Sequence, residues 1–65
     1  MAQTITVTGM SCEHCEQRVR EALEEIDGVT SARVDRAEEQ ATIEGEADPD
    51  TLVAAVEKAG YEAVA

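Results

Sequence analysis

Residues 4–15, with the sequence TITVTGMSCEHC, contain both cysteines of the chain and the junction of a predicted strand with a predicted helix. The first five of these residues alternate polar and apolar side chains and are all β-branched, which predicts a half-buried strand. Gly9 ends this strand, and Ser11 is a candidate N-cap for the helix that follows. We therefore expect Cys12 on the loop and Cys15 in the first helical turn, so that both sulfurs converge near unpaired helix N–H groups.

A first helix is predicted from Glu13 to Ile26, directly after the loop. Apolar side chains recur there at i, i+3, i+4 and i+7 and form one stripe, while charged side chains occupy the opposite face. The stripe consists of Val19, Ala22, Leu23 and Ile26. The pair Asp27-Gly28 is a typical helix stop, so the helix is expected to end just before it.

A hairpin is predicted after this helix. Residues 29–35 and 40–44 have the pattern of strands, and the polar turn 36–39 joins them. The inward side chains of the two strands are expected to be Ala32, Val34, Ala41 and Ile43. The short polar connection indicates that the strands pair directly with each other.

The end of the chain predicts a second helix and a short strand. Asp48-Pro49-Asp50 combines a cap residue with Pro at the first helical position, which is a strong helix start. Gly60 closes this helix, and residues 61–64 are left for a last strand. The buried stripe of the helix is expected to be Leu52, Val53, Val56 and Ala59.

The predicted order is strand, helix, strand, strand, helix, strand. This is a split βαβ unit repeated, so we expect an α+β fold of the ferredoxin-like βαββαβ type, with a four-stranded antiparallel sheet and two helices on one face. The alternative is an open sandwich without the last strand, because residues 61–64 form a short terminal segment. With 65 residues, the chain has room for a single domain, residues 1–65, and a small core.

Charge and hydropathy exclude several classes of function. Fifteen Asp and Glu against five Lys and Arg give a formal net charge of −10, which opposes binding to nucleic acid or to an anionic membrane. No segment has the roughly 18 apolar residues that a membrane span needs, and the first residues lack the basic and apolar segments of a signal peptide. We expect a cytoplasmic protein, complete from Met1, that inserts into no membrane.

The large excess of acidic residues can be interpreted in two ways. The charge of −10 exceeds the magnitude of about 2 to 8 that keeps a small domain soluble. Such an excess, with Lys58 as the single lysine, is similar to the surfaces of halophilic proteins, which stay hydrated in molar salt. The alternative is an ordinary acidic cytoplasmic protein.

The two cysteines are separated by two residues and cannot close a stabilising loop. In a reducing compartment such a pair is expected as free thiols, as a redox couple or as metal ligands. A helix start favours the thiolate, although Glu13 and Glu16 oppose it and Arg18 only partly offsets them. Two soft thiolates without further ligands suit Cu(I), whereas zinc normally takes four ligands.

At residues 9–15 the sequence GMSCEHC resembles the Gly-Met-Thr-Cys-x-x-Cys signature of heavy-metal-associated domains, with Ser in place of Thr. The similarity covers essentially the whole chain, including the helix after the motif, the Gly28-Val29 turn and residues 59–61. It implies a βαββαβ domain that binds Cu(I) through Cys12 and Cys15.

For a free-standing domain the resemblance also implies a copper chaperone whose partner is the metal-binding domain of a copper-transporting P-type ATPase. Tyr61 after Gly60 is similar to the bacterial and archaeal chaperones. The expected protein is no enzyme and transfers Cu(I) by ligand exchange. It is expected to be a monomer when metal-free, with a copper-bridged dimer left open.

Alternative interpretations stay open for the same residues. The fold also suits a mercury or zinc carrier, and the cysteine pair alone would suit a thiol redox protein, although the chain has no Trp and Pro49 lies far from the pair. His14 is a candidate third ligand, and Met10 is a candidate soft ligand or a core residue. Tyr61 either packs against the last strand or covers the thiolates.

Overall fold

The computed structural model describes residues 2–65 and has the predicted order of elements. The elements are β1 Ala2–Thr8, α1 Glu13–Glu24, β2 Val29–Asp35, β3 Gln40–Gly45, α2 Pro49–Lys58 and β4 Glu62–Val64. The four strands form one antiparallel sheet in the order β2-β3-β1-β4. This confirms the ferredoxin-like α+β fold, and the alternative without a last strand is wrong because β4 pairs with β1.

The central strand β1 determines which face of the sheet the helices cover. It pairs with β3 over Ala2–Thr6 and with β4 over Thr6–Thr8. Ile5 and Val7 are buried under the helices, whereas the alternate side chains along the strand are more exposed. Because successive side chains of a strand point to opposite faces, the second face of the sheet is left open to solvent.

The core consists of small and branched aliphatic side chains from all six elements. Each helix contributes two of them, and the rest come from the covered face of the sheet. The buried residues are Ile5, Val7, Val19, Leu23, Ala32, Ala41, Ile43, Leu52, Val56 and Ala63. Of the predicted inward positions in the hairpin, three are buried and Val34 is half-buried. No polar or charged residue is buried within 2–65, so all formal charge lies on the surface.

The start of α1 at Glu13 is as predicted, but its N-cap lies one residue later than predicted. The N-cap is Cys12 and not Ser11, since α1 begins at Glu13. Cys12 has extended backbone angles and makes no side-chain cap hydrogen bond. The Ser11 hydroxyl instead lies 3.9 Å from the Cys15 sulfur. The helix thus starts without the side-chain cap that normally accepts one of its free N–H groups.

The other element ends are close to their predicted positions. The predicted extension of α1 to Ile26 is wrong, because the helix ends at Glu24 and the amide of Ile26 bonds to the Leu23 carbonyl, one residue short of the helical spacing. Asp48 is the N-cap of α2, as predicted. The last strand begins at Glu62, one residue later than predicted. Within residues 2–65, no helix has the length and apolar character of a membrane span.

Candidate metal centre

The two cysteines lie side by side at one end of the molecule. Residues 9–12, called here the metal loop, connect β1 to α1. Cys12 is the last residue of the metal loop and is exposed, while Cys15 lies in the first turn of α1 and is half-buried. Their sulfur atoms are 3.4 Å apart, and both are free thiols. The predicted placement of the two residues is confirmed.

The metal loop leaves β1 through a glycine. Gly9 has a φ of +92°, a left-handed conformation that costs a residue with a Cβ about 1–2 kcal/mol. The chain enters α1 at Cys12, whose carbonyl accepts hydrogen bonds from the amides of Cys15 at 3.0 Å and Glu16 at 3.3 Å. The turn at Gly9 and the helix start at Cys12 together bring both sulfurs to the same edge of the fold.

Tyr61 brings the end of the chain to the metal loop. It lies between α2 and β4, where its amide donates a hydrogen bond to the Val56 carbonyl at 3.2 Å. The half-buried side chain packs against the core. A Cβ placed on Gly9 would be 3.8 Å from Cδ1 of the Tyr61 ring. Tyr61 therefore packs against the core, in line with its predicted packing role, and its ring also borders the metal loop at Gly9.

The environment of Cys15 favours the thiolate. Its pKa is lowered from 9.0 to about 6. The largest cause is a hydrogen bond with the Tyr61 side chain, followed by one from the Ser11 backbone N–H and one with the Cys12 thiol. Each stabilises the charged form, and the opposing effect of desolvation is smaller. At neutral pH most molecules therefore carry a thiolate at Cys15.

The same hydrogen bond acts on Tyr61 in the opposite sense. The pKa of the Tyr61 phenol is raised, first by its hydrogen bond with Cys15 and then by desolvation. A hydroxyl that donates a hydrogen bond to a thiolate is harder to deprotonate, because loss of its proton would place two negative charges together. Tyr61 therefore stays a hydrogen-bond donor at neutral pH.

The other predicted ligands are not gathered at the cysteine pair. Met10 is half-buried and packs against the core, which matches its alternative interpretation as a core residue. His14 lies exposed in the first turn of α1. Within residues 2–65, no group of three or more His, Cys, Asp or Glu side chains is arranged to hold a metal ion. The described residues of one chain therefore offer a metal ion two sulfur ligands.

Glu16 makes a contact that the sequence did not predict. Sequence reasoning assigned it only a charge that opposes the thiolate. Its Oε2 atom accepts a hydrogen bond from the Arg36 amide at 2.7 Å, across twenty positions of the chain. No local pattern signals such a contact, because it depends on where the β2–β3 turn lies relative to α1.

The donor set favours a soft metal ion that accepts few ligands. Two adjacent sulfurs, one of them already a thiolate, match the soft ligands that Cu(I) prefers. Zinc would need two further ligands to reach its usual four, and calcium and magnesium need oxygen ligands. The exposure of Cys12 also leaves room for an incoming ligand.

Comparison with known proteins identifies the family. The model of the heavy-metal-associated domain matches residues 4–62, and the chain belongs to this family. It is 46% identical over 57 residues to copper-transporting ATPase 2 of Rhizobium meliloti (strain 1021), which covers 85% of this chain and 7% of the ATPase. It is 39% identical over 62 residues to the copper-exporting P-type ATPase of Staphylococcus aureus (strain Newman), covering 91% of this chain and 8% of that protein.

The fold is also similar to that of a small carrier protein. The structure of a CopZ metallochaperone superposes with a TM-score of 0.93 at 36% identity, covering 98% of this chain and 100% of that one. The chain spans less than a tenth of the length of the two ATPases. The same domain therefore occurs as a whole chain in one relative and as a small part of a much longer chain in the others.

Proposed function

We propose that this protein binds Cu(I) through Cys12 and Cys15 and delivers it to the metal-binding domain of a copper-transporting P-type ATPase. The observation that carries this proposal is the pair of sulfurs 3.4 Å apart at an exposed loop. The lowered pKa of Cys15 supports it, because the thiolate is the form of cysteine that binds a metal ion. The similarity to a CopZ metallochaperone and to copper-transporting ATPases supports copper as the cargo.

The transfer is a ligand exchange. A thiolate of the partner forms a bond to Cu(I) while Cys12 and Cys15 still hold it, and the bonds to this protein then break one after the other. The oxidation state of copper does not change, and each released thiolate regains a proton according to its pKa. Only metal–sulfur bonds form and break, so the protein acts as a carrier and not as an enzyme.

The proposal includes the partner, the location and the oligomeric state. The partner is a second domain of the same family, because relatives of this chain are copper-transporting ATPases that contain it. The protein acts in the cytoplasm, where thiols stay reduced. It is a monomer when metal-free, and two copies can share copper through their four sulfurs.

Native mass spectrometry tests this function. The protein is purified without oxygen from cells grown with added copper, and the spectrum gives the metal, the stoichiometry and the fraction of dimer together. We expect copper in the wild-type protein and none in the Cys12→Ser/Cys15→Ser double variant. Mixing with a partner domain of distinct mass should then move copper to it. Recovery of zinc or of no metal would overturn the proposal.

A thiol redox protein is the second candidate. The distance of 3.4 Å between the sulfurs and the lowered pKa of Cys15 are features of redox pairs as well. The two functions differ in what the wild-type protein does with a disulfide substrate. The lowered pKa of Cys15 by itself makes exchange faster than in a short Cys-Glu-His-Cys peptide, because more of the thiol is ionised. We therefore expect the metal-free dithiol to reduce a model disulfide faster than the peptide only by the factor that this larger thiolate fraction gives. A larger rate advantage would favour the redox candidate.

A further inference from the structure

The turn between β2 and β3 is fixed to the strand that leads into the metal loop. Residues 36–39, called here the hairpin turn, are held internally by Asp35, whose Oδ1 accepts the amides of Ala37 at 3.0 Å and Glu38 at 3.2 Å. The Glu39 carbonyl accepts a hydrogen bond from the Val7 amide at 2.8 Å. The hairpin turn is therefore attached to the end of β1, just before the metal loop.

The hairpin turn is also attached to the helix that follows the metal loop. The amide of Arg36 donates to Oε2 of Glu16 at 2.7 Å. Glu16 comes directly after Cys15 and is half-buried, whereas Glu13 in the same helical turn is exposed. The hairpin turn therefore contacts both elements that flank the metal loop. Its Glu39 carbonyl accepts a hydrogen bond from β1, and its Arg36 amide donates one to the Glu16 carboxylate of α1.

This second attachment matters because α1 lacks a side-chain cap. Cys12 occupies the N-cap position without a side-chain hydrogen bond, and a helix that lacks its side-chain cap is less stable. Helix ends are where local unfolding starts, so the first turn needs another contact to stay ordered. The hydrogen bond from Arg36 supplies a contact at Glu16, one residue from a sulfur.

We propose that Glu16 is a positioning residue for metal binding: its hydrogen bond to Arg36 holds the first turn of α1 in place and thereby fixes Cys15 relative to Cys12. The identity of the metal in this proposal rests on the proposed function. The expected effect of Glu16 on the order of the metal-free protein does not. A ligand that is already fixed loses less conformational freedom on binding, and the metal affinity is higher for that reason.

The competing explanation is that Glu16 acts through its charge. A carboxylate close to the sulfurs destabilises the thiolate and attracts a cation. Both effects depend on the charge of the carboxylate and not on the length of its side chain. Three variants separate the two explanations. Glu16→Gln keeps an acceptor oxygen on a side chain of the same length and removes the charge. Glu16→Asp keeps the charge on a side chain too short for the Arg36 amide. Glu16→Ala removes both the charge and the acceptor.

Glu24 provides a matched control on the same helix. Its Oε2 atom accepts a hydrogen bond from the amide of Ala32 at 3.4 Å, so it joins α1 to β2 as Glu16 joins α1 to the hairpin turn. It lies eight positions further along the helix, about 12 Å from Glu16 at 1.5 Å per residue. Glu24→Ala therefore removes the same kind of contact and the same charge far from the sulfurs.

Two measurements are made on all four variants and on the wild-type protein. Hydrogen exchange of the Cys15 and Glu16 amides in the metal-free protein reports the order of the first turn. Competition with a chromophoric Cu(I) chelator reports the affinity. We expect faster exchange and an affinity about tenfold lower for Glu16→Ala and Glu16→Asp, and values within about threefold of wild type for Glu16→Gln and Glu24→Ala.

The opposite pattern would overturn the proposal. If Glu16→Gln lost affinity and Glu16→Asp kept it, charge would be the cause. Equal affinities in all variants, or an equal loss in Glu24→Ala, would exclude a positioning role. If Glu16→Ala does not fold, the Gln and Asp variants decide. A wild-type protein without tight Cu(I) binding would refute the proposed function, while the exchange measurement would still test the role of Glu16.

Discussion

The side chain of Tyr61, between α2 and β4, lowers the pKa of Cys15, in the first turn of α1, more than any other group does. The two residues are far apart in the chain, so this effect on the sulfur requires the folded protein.

Replacing Tyr61 by Phe should raise the pKa of Cys15 from about 6 towards 9.0. The variant keeps the ring that packs against the core and beside Gly9, and it removes only the hydroxyl. The measurement is the ultraviolet absorbance of the thiolate against pH in the Cys12→Ser background, with and without the Tyr61→Phe change. An unchanged titration midpoint would show that Tyr61 has no such effect.

The lowered pKa of Cys15 also predicts how pH changes the stability of the metal-free fold. A group whose pKa is lower in the folded state stabilises the fold at pH values above its unfolded pKa, here 9.0, and loses this effect as the pH falls through about 6. The wild-type protein should therefore gain stability relative to Cys15→Ser between pH 6 and 9. Urea unfolding of both proteins across this range checks it, and a constant difference would contradict it.

Zinc should bind this protein more weakly than Cu(I) does. The described chain gathers two sulfurs and no third ligand, so zinc must recruit His14, a carboxylate or water to reach four positions. We expect that excess zinc does not displace copper in a competition followed by mass spectrometry. His14→Ala should reduce zinc binding and leave Cu(I) affinity unchanged. Equal competition by zinc would make His14 a ligand and weaken the copper assignment.

Salt should stabilise the metal-free protein, as expected if its acidic surface is a halophilic adaptation. Glu21 on α1 and Glu25, the C-cap residue of this helix, are four positions apart and both exposed, and such like-charge pairs cost about 0.2–0.5 kcal/mol each at low ionic strength. Screening removes this cost, and excluded salts strengthen apolar burial at higher concentration. The thermal midpoint should rise with KCl into the molar range. A flat response would contradict the halophilic interpretation and leave the metal site unaffected.

The order of elements was predictable because it depends on local patterns. Alternation of side chains along β1 and the spacing of Val19 and Leu23 on α1 follow from strand and helix geometry, and the structure buries both sets as expected. The helix ends were less predictable. Ser11 has the better cap side chain, but Cys12 takes the N-cap position directly before Glu13, the predicted first residue of α1.

The site was predictable only in part, for a physical reason. The spacing of the cysteines is short enough that the strand-to-helix junction alone brings their sulfurs together. The effect of Tyr61 on the pKa of Cys15 and the hydrogen bond of Arg36 with Glu16 each involve residues far apart in the sequence. Such contacts depend on how the elements pack, and no spacing in the sequence encodes them.

The central claim is that the sulfurs of Cys12 and Cys15 together hold Cu(I), and the single serine variants test it most directly. The decisive measurement is competition of metal-free wild type, Cys12→Ser and Cys15→Ser against a chromophoric Cu(I) chelator, without oxygen, with circular dichroism to verify the fold. Neither side chain belongs to the buried core, so both variants should fold. We predict tight binding of Cu(I) by the wild-type protein and its loss in each variant. Wild-type affinity in either folded variant would contradict a site built from two thiolates.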